Sequence, residues 1–153
     1  MTKVLLVFYT WSGNTKKLAG KITNQYNTDE MEIKVPENTF STDMNKTSDI
    51  ANKQILNNAY PDIQIDDINF NNYDLILVGS PTWSGMPATP IHTFLSKLQN
   101  ANYQGQVASF HTDVKMYLEK YEPTFKSWGK NLNIIGSCHN DEKIDEWIKG
   151  VVN

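Results

Sequence analysis

The sequence predicts an α/β protein: a three-layer α/β/α sandwich around a five-stranded parallel sheet. Three observations lead there. Two runs, Val4-Leu5-Leu6-Val7-Phe8-Tyr9 and Leu75-Ile76-Leu77-Val78, are apolar at successive positions, as strands buried on both faces are. Each breaks abruptly into a turn rich in Gly and hydroxyl residues. Five such strand patterns alternate with amphipathic helices, and right-handed crossovers between parallel strands put those helices on both faces of the sheet.

In chain order, the first strand is followed by a helix over 14–26, with Leu18, Ala19, Ile22 and Tyr26 on one face. Residues 31–35 alternate Met31, Ile33 and Val35 with Glu32 and Lys34, the pattern of a strand near a sheet edge, and Pro36 ends it. Residues 37–67 read as a loop with one short helix (Ile50, Ala51, Ile55, Leu56, Ala59), low-complexity disorder being the alternative. Asp62, Asp66 and Asp67 suit a solvated turn. A turn over 69–72 leads into the second buried strand, 73–79. Pro90 then opens a helix carrying Ile91, Phe94, Leu95 and Leu98 at i, i+3, i+4, i+7. Residues 106–110 read as a strand and 111–113 as a polar loop. A helix over 115–128 aligns Tyr117, Tyr121 and Phe125 and stops at Gly129. A strand over 132–136, a loop of Ser137, Cys138 and His139, and a helix over 141–152 with Ile144, Trp147, Ile148 and Val151 on one face complete the chain.

The 153 residues carry no linker or repeat and suit a single domain over 1–153. A chain of this length buries about 70% of its unfolded surface, enough for a sizeable core. A formal net charge of −3 with no lysine cluster gives no footprint for nucleic acid. The lone Cys138 forms no intrachain disulfide, the N-terminal apolar run is short for a signal peptide, and nothing approaches a membrane span, so a cytoplasmic protein is expected. Arginine is absent, so anion recognition must rely on backbone N–H groups, hydroxyls and lysine.

Chemistry concentrates after the strands. Thr10, Trp11, Ser12, Gly13, Asn14 and Thr15 form a strand-to-helix turn. The N–H groups of a helix N-terminus lack intrahelical partners there and meet the positive end of the macrodipole, while three hydroxyls surround the same point. That combination suits a phosphate. Ser12 or Asn14 acting as a simple N-cap is the other reading. The second loop, Ser80, Pro81, Thr82, Trp83, Ser84 and Gly85, places a Trp among polar and turn residues. It can face a ligand, because ligands of open α/β sheets sit outside the carboxyl ends of the strands, or it can cap the sheet. Cys138 beside His139 lacks a third partner for nucleophilic catalysis, and His92 and His111 show no metal-ligand spacing.

The first strand with Thr10-x-Ser12-Gly13-Asn14-Thr15 resembles the FMN phosphate loop of flavodoxins. Tyr73-Asp74 leading through Gly79-Ser80-Pro81-Thr82-Trp83 resembles the second flavin loop of short flavodoxin-like proteins. The likeness covers nearly all the chain outside residues 37–59. It implies the sheet order 2-1-3-4-5, FMN as cofactor, Thr10, Ser12, Asn14 and Thr15 on its phosphate with Gly13 making the turn, and residues 80–85 beside the isoalloxazine. Phe110, His111, Thr112 and Asp113 would form the other wall. The function implied is electron transfer with a protein redox partner, by a monomer or weak dimer. An NAD(P)H-dependent quinone or flavin oxidoreductase and a flavin-free binding or regulatory module of the same fold are the alternatives.

Overall fold

The computed structural model describes residues 2–112, 120–139 and 144–152. Five parallel strands run β1 (Val4–Phe8), β2 (Thr28–Glu32), β3 (Leu75–Trp83), β5 (Gln106–Thr112) and β6 (Asn133–His139), with a two-residue strand β4 (Met86–Pro87) antiparallel to β3. The sheet order is β2-β1-β3-β5-β6, which is the expected 2-1-3-4-5 once β4 is set aside. The helices are α1 (Asn14–Gln25), α2 (Met44–Leu56), α3 (Thr89–Asn100), α4 (Tyr121–Trp128) and α5 (Ile144–Val152). Residues 115–119 and 141–143 of the two last expected helices lie outside the described residues.

Strand alternation divides the core into the two expected layers. Leu5, Val7, Ile76, Val78 and Val107 face Ala51 of α2, Ile91, Phe94, Leu95 and Leu98 of α3, and Tyr121 and Phe125 of α4. Val4, Leu6, Phe8, Leu75, Leu77, Ala108 and Phe110 face Leu18, Ala19 and Ile22 of α1 and Ile144 and Ile148 of α5. Burying each such side chain contributes about 1.5–3 kcal/mol, so both faces of the central strands drive folding and their continuous apolar runs follow from it.

Several boundaries differ from the sequence reading, each for a reason of pairing. The edge strand is Thr28–Glu32 rather than 31–35, because β1 offers partners only from Val4↔Thr28 to Phe8↔Glu32. Beyond it the Ile33 N–H still donates to the Phe8 carbonyl, and Lys34 then bridges antiparallel to Gln64. β3 runs on through residues 80–83 and β5 through His111 and Thr112, because the register continues as Ser80↔His111 and Pro81↔Thr112 and β4 then pairs with Thr82 and Trp83. Likewise Ser137, Cys138 and His139 belong to β6, paired with Ser109, Phe110 and His111, not to a loop. The one helix expected within 37–67 is α2, started by Asp43, whose carboxylate accepts from the Lys46 N–H at 3.1 Å. Asp62, Asp66 and Asp67 are exposed, and Cys138 is half-buried against the α1/α5 layer.

Gly79 makes the β3/β5 pairing possible. It lies opposite Phe110 in the register, and a Cβ added to it would fall 2.2 Å from the Phe110 Cζ. Gly79→Ala must therefore push a fully buried ring out of its place, and a loss of about 1–3 kcal/mol is expected from such overpacking. Urea unfolding of the variant measures it, and the paired variant Gly79→Ala/Phe110→Leu should recover part of the loss.

Candidate functional site

The pairing brings the C-terminal ends of β1, β3 and β5 side by side, and three distant stretches of sequence meet there. The first is the turn between β1 and α1. Gly13 sits at φ 99°, a left-handed conformation that costs glycine little, and serves as the N-cap residue of α1 with no side-chain cap bond. The Gly13 N–H donates to Thr10 Oγ1 at 3.0 Å, closing the turn. The first helical bond runs from the Lys17 N–H to the Gly13 carbonyl, so the N–H groups of Asn14, Thr15 and Lys16 precede the intrahelical ladder. The first turn holds no acidic side chain. The N-cap reading of Ser12 or Asn14 is therefore not what the turn does: Ser12 precedes the cap, Asn14 is the first helical residue, and both are exposed.

Thr15 is 1% exposed, and its hydroxyl lies 2.8 Å from that of Thr112 at the end of β5. This contact ties the first stretch to the third. Within the third, Phe110 is fully buried in the α1/α5 layer. His111 is buried and stacks on Tyr121 with ring centroids 3.7 Å apart. Thr112 is thus the member of this stretch that reaches the first loop, and Asp113 lies outside the described residues.

The second stretch is a β-hairpin. Trp83 pairs with Met86, and Ser84 and Gly85 between them take φ 52° and 80°, the left-handed pair that a two-residue type I′ turn needs. Ser84 Oγ lies 3.3 Å from Ser48 Oγ of α2. Ser80 is fully buried and points away from the surface: its hydroxyl donates to the Pro81 carbonyl at 2.7 Å and accepts from the Ala88 N–H at 3.0 Å, clipping the hairpin to the start of α3. Ser109, one strand over, donates to the Val78 carbonyl and meets the Tyr121 hydroxyl at 2.9 Å. Burial pushes the Tyr121 phenol well above its usual range, with the Ser109 and Ser80 hydroxyls opposing, so it stays a neutral partner of this network. Thr82 and Pro81 are half-buried. Trp83 is only 4% exposed, edge-on to Tyr9 at 5.9 Å and to Phe40 at 4.9 Å.

Phe40 belongs to a neighbouring wall that the sequence did not single out. The segment after β2 folds over the end of β1, and with Tyr9, Trp11 and Ser12 it borders an open cleft of about 440 Å³ lined by Val35, Pro36, Asn38, Thr39, Phe40, Ser41 and Thr42. The Trp11 indole N–H donates to the Ser41 carbonyl at 2.9 Å, fastening the first loop to this wall. The available signal was Phe40 itself, a large apolar residue in an otherwise polar stretch.

Among the described residues no helix is long and apolar enough to cross a membrane, and no group of three or more His, Cys, Asp or Glu could hold a metal ion. The flavodoxin family profile matches residues 3–150. The chain belongs to the flavodoxin family. Among solved structures it is similar to a flavoprotein from Lactobacillus acidophilus NCFM in complex with FMN, with 47% identity and TM-score 0.91 over 97% of this chain and 99% of that one. The NMR structure of the apo form of the flavoprotein from the same organism gives 47% identity and TM-score 0.72 over 96% and 97%. A flavodoxin from the domain Archaea shares the fold at 16% identity and TM-score 0.54, over 96% and 90%. No curated protein matches the chain in sequence.

The Ser80 clip yields a direct test. Ser80→Ala leaves the buried Ala88 N–H without its acceptor, and a cost of about 1–3 kcal/mol is expected. Urea unfolding should show it, together with faster amide exchange at Ala88.

Proposed function

We propose that this chain, a single domain working in the cytoplasm, binds FMN and carries electrons between protein partners. The observation that carries the reading is the start of α1. A left-handed Gly13 without a side-chain cap leaves the N–H groups of Asn14, Thr15 and Lys16 ahead of the helical ladder, at the positive end of the helix, with hydroxyls beside them and no carboxylate in the first turn. A terminal phosphate supplies the missing acceptors. Family membership and the FMN complex of the 47%-identical relative support the same cofactor.

The residues present fit that group. Thr10 shapes the turn through its bond from the Gly13 N–H, and Ser12 and Asn14 are exposed and able to donate. The Thr15 hydroxyl can donate to a phosphate oxygen while accepting from Thr112. With arginine absent, the dianion is held by many directed donors rather than one guanidinium fork. When bound, the flavin supplies one- or two-electron redox chemistry at its ring. The hairpin tip at Ser84 and Gly85 presents backbone amide groups for the ring, with Pro81, Thr82 and Trp83 behind it, while Phe110 and His111 support this end of the sheet from within. Because Tyr9 and Phe40 enclose Trp83, its contact with a flavin ring is confined to what they leave open unless they part. Asp113 joins this wall as an expectation of the family pattern.

A carrier role fits better than NADPH oxidation, because no arginine is available to pair with a 2′-phosphate and no second Gly-rich dinucleotide loop is present. A net charge of −3 implies weak steering toward a redox partner, with little dependence on ionic strength. A monomer or weak dimer leaves the hairpin end open to that partner.

Ser12→Ala and Thr15→Ala should each weaken FMN by about 10- to 100-fold, the loss of one charge-assisted hydrogen bond, while riboflavin affinity hardly changes. Calorimetric titration with both ligands checks this, and equal losses for the two would remove the phosphate from the turn. Stopped-flow mixing of the FMN-loaded protein with NADH or NADPH should give slow flavin reduction. Rapid reduction with turnover of quinones would make the protein a reductase instead.

A further inference from the structure

The cleft between the first loop and the segment after β2 is a built feature rather than slack between loops. The Ser41 carbonyl accepts from the Trp11 indole N–H at 2.9 Å and from the Thr47 hydroxyl at 2.8 Å, and Thr47 is fully buried. The Ser41 N–H donates back to Thr47 Oγ1 at 3.1 Å, and the Asp43 N–H to Ser41 Oγ at 3.0 Å. Phe40 is anchored on Tyr9 and Trp83, with ring centroids 6.2 and 4.9 Å away. With the Lys34–Gln64 backbone bridge at the start of the segment and these bonds at Phe40 and Ser41, the wall is braced by the chain's own contacts, which lowers the ordering cost of binding.

Its chemistry is specific. Among the described residues the lining holds three aromatic rings, Tyr9, Trp11 and Phe40, with hydroxyl and amide groups around them and no charged side chain. Burial raises the Tyr9 phenol far above its usual range, so this group too stays neutral. An ion entering the cleft would lose hydration without gaining a counter-ion. A flat neutral molecule gains ring contacts and finds hydroxyl and amide partners, and about 440 Å³ lies within the range of small-molecule sites.

The geometry points to this cleft as a binding site for an uncharged planar compound of one or two fused rings bearing a carbonyl or hydroxyl group, lying against Trp11 and Phe40 and separate from the seat of FMN. The site goes beyond the FMN reading and does not need it, since its walls stand in the protein alone. Ser12 lines the cleft and also belongs to the phosphate-binding turn, so the two ligands would be neighbours.

Coumarin, a neutral bicyclic carbonyl compound, is the probe, and the indole N–H resonance of Trp11 in the ¹⁵N-labelled full chain is the readout. Titration should shift that resonance saturably, both in the flavin-free protein and after saturation with FMN. Coumarin-3-carboxylate should bind at least about tenfold more weakly, because its charge finds no partner. Phe40→Ala should weaken coumarin by about tenfold while the remaining spectrum stays folded; should that variant unfold, the comparison of the neutral and charged probes decides alone. A Trp11 resonance indifferent to coumarin, or equal affinity for the carboxylate, would overturn the site. Loss of the shift on FMN saturation would overturn it as well, by making the cleft the seat of the flavin ring. Uptake of FMN is scored independently by quenching of flavin fluorescence: its failure would sink the cofactor reading and leave the coumarin titration of the flavin-free protein as the test of the cleft.

Discussion

Parallel pairing of β3 with β1 on one side and β5 on the other is the constraint on which the C-terminal end of the sheet depends. β1 and β3 pair from Val4↔Leu75 to Phe8↔Gly79, and β3 and β5 from Leu75↔Gln106 to Pro81↔Thr112. With both faces of these strands buried, a slip of one residue would move every apolar side chain to the opposite layer, so the register is strongly specified. That register sets the turn after β1, the hairpin after β3 and the end of β5 next to one another. Gly79 is part of the same constraint, since only a residue without a Cβ leaves room for the Phe110 ring across the pair.

The pairing also explains why polar residues continue both strands. Ser80 and Ser109 are fully buried, which is tolerable only because each hydroxyl is bonded, Ser80 to the Pro81 carbonyl and the Ala88 N–H, Ser109 to the Val78 carbonyl and Tyr121. A network with its members bonded holds the hairpin against α3 and α4 and gives it one position. On the other side of β3, the Thr15–Thr112 contact joins the start of α1 to the end of β5. A ligand touching the turn after β1 therefore meets a site braced from two strands.

The segment between β2 and α2 acts differently. It adds no strand to the sheet, and beyond the Lys34–Gln64 bridge it is held by side-chain bonds to backbone groups: Trp11 to Ser41, Thr47 to Ser41, Asp43 to Lys46. These fasten Phe40 over Tyr9 and Trp83 and turn the open end of β1 into a walled cleft. The lining of that cleft is uncharged, whereas the turn beside it carries the positive end of the α1 dipole, so two different electrostatic surroundings lie within one loop of each other.

The sequence by itself determined the layered α/β architecture and the turn at Thr10 to Thr15, because both rest on local signals: apolar runs for strands buried on both faces, helical spacing for the covering helices, and a Gly among hydroxyls where a strand becomes a helix. The 2-1-3-4-5 strand order came from likeness to a known family. Tertiary structure alone decided how far the strands extend and what encloses Trp83. Ser80, Pro81, His111 and Thr112 look like loop residues by composition, yet neighbouring strands supply partners that keep them in the sheet. Trp83 stands in a polar, Gly- and Pro-punctuated stretch, and its enclosure by Tyr9 and Phe40 depends on a segment distant in the chain. Periodicity reports which face of an element is apolar; it carries no information on which remote side chain will cover it, because that contact is made only when the packed sheet brings the two together.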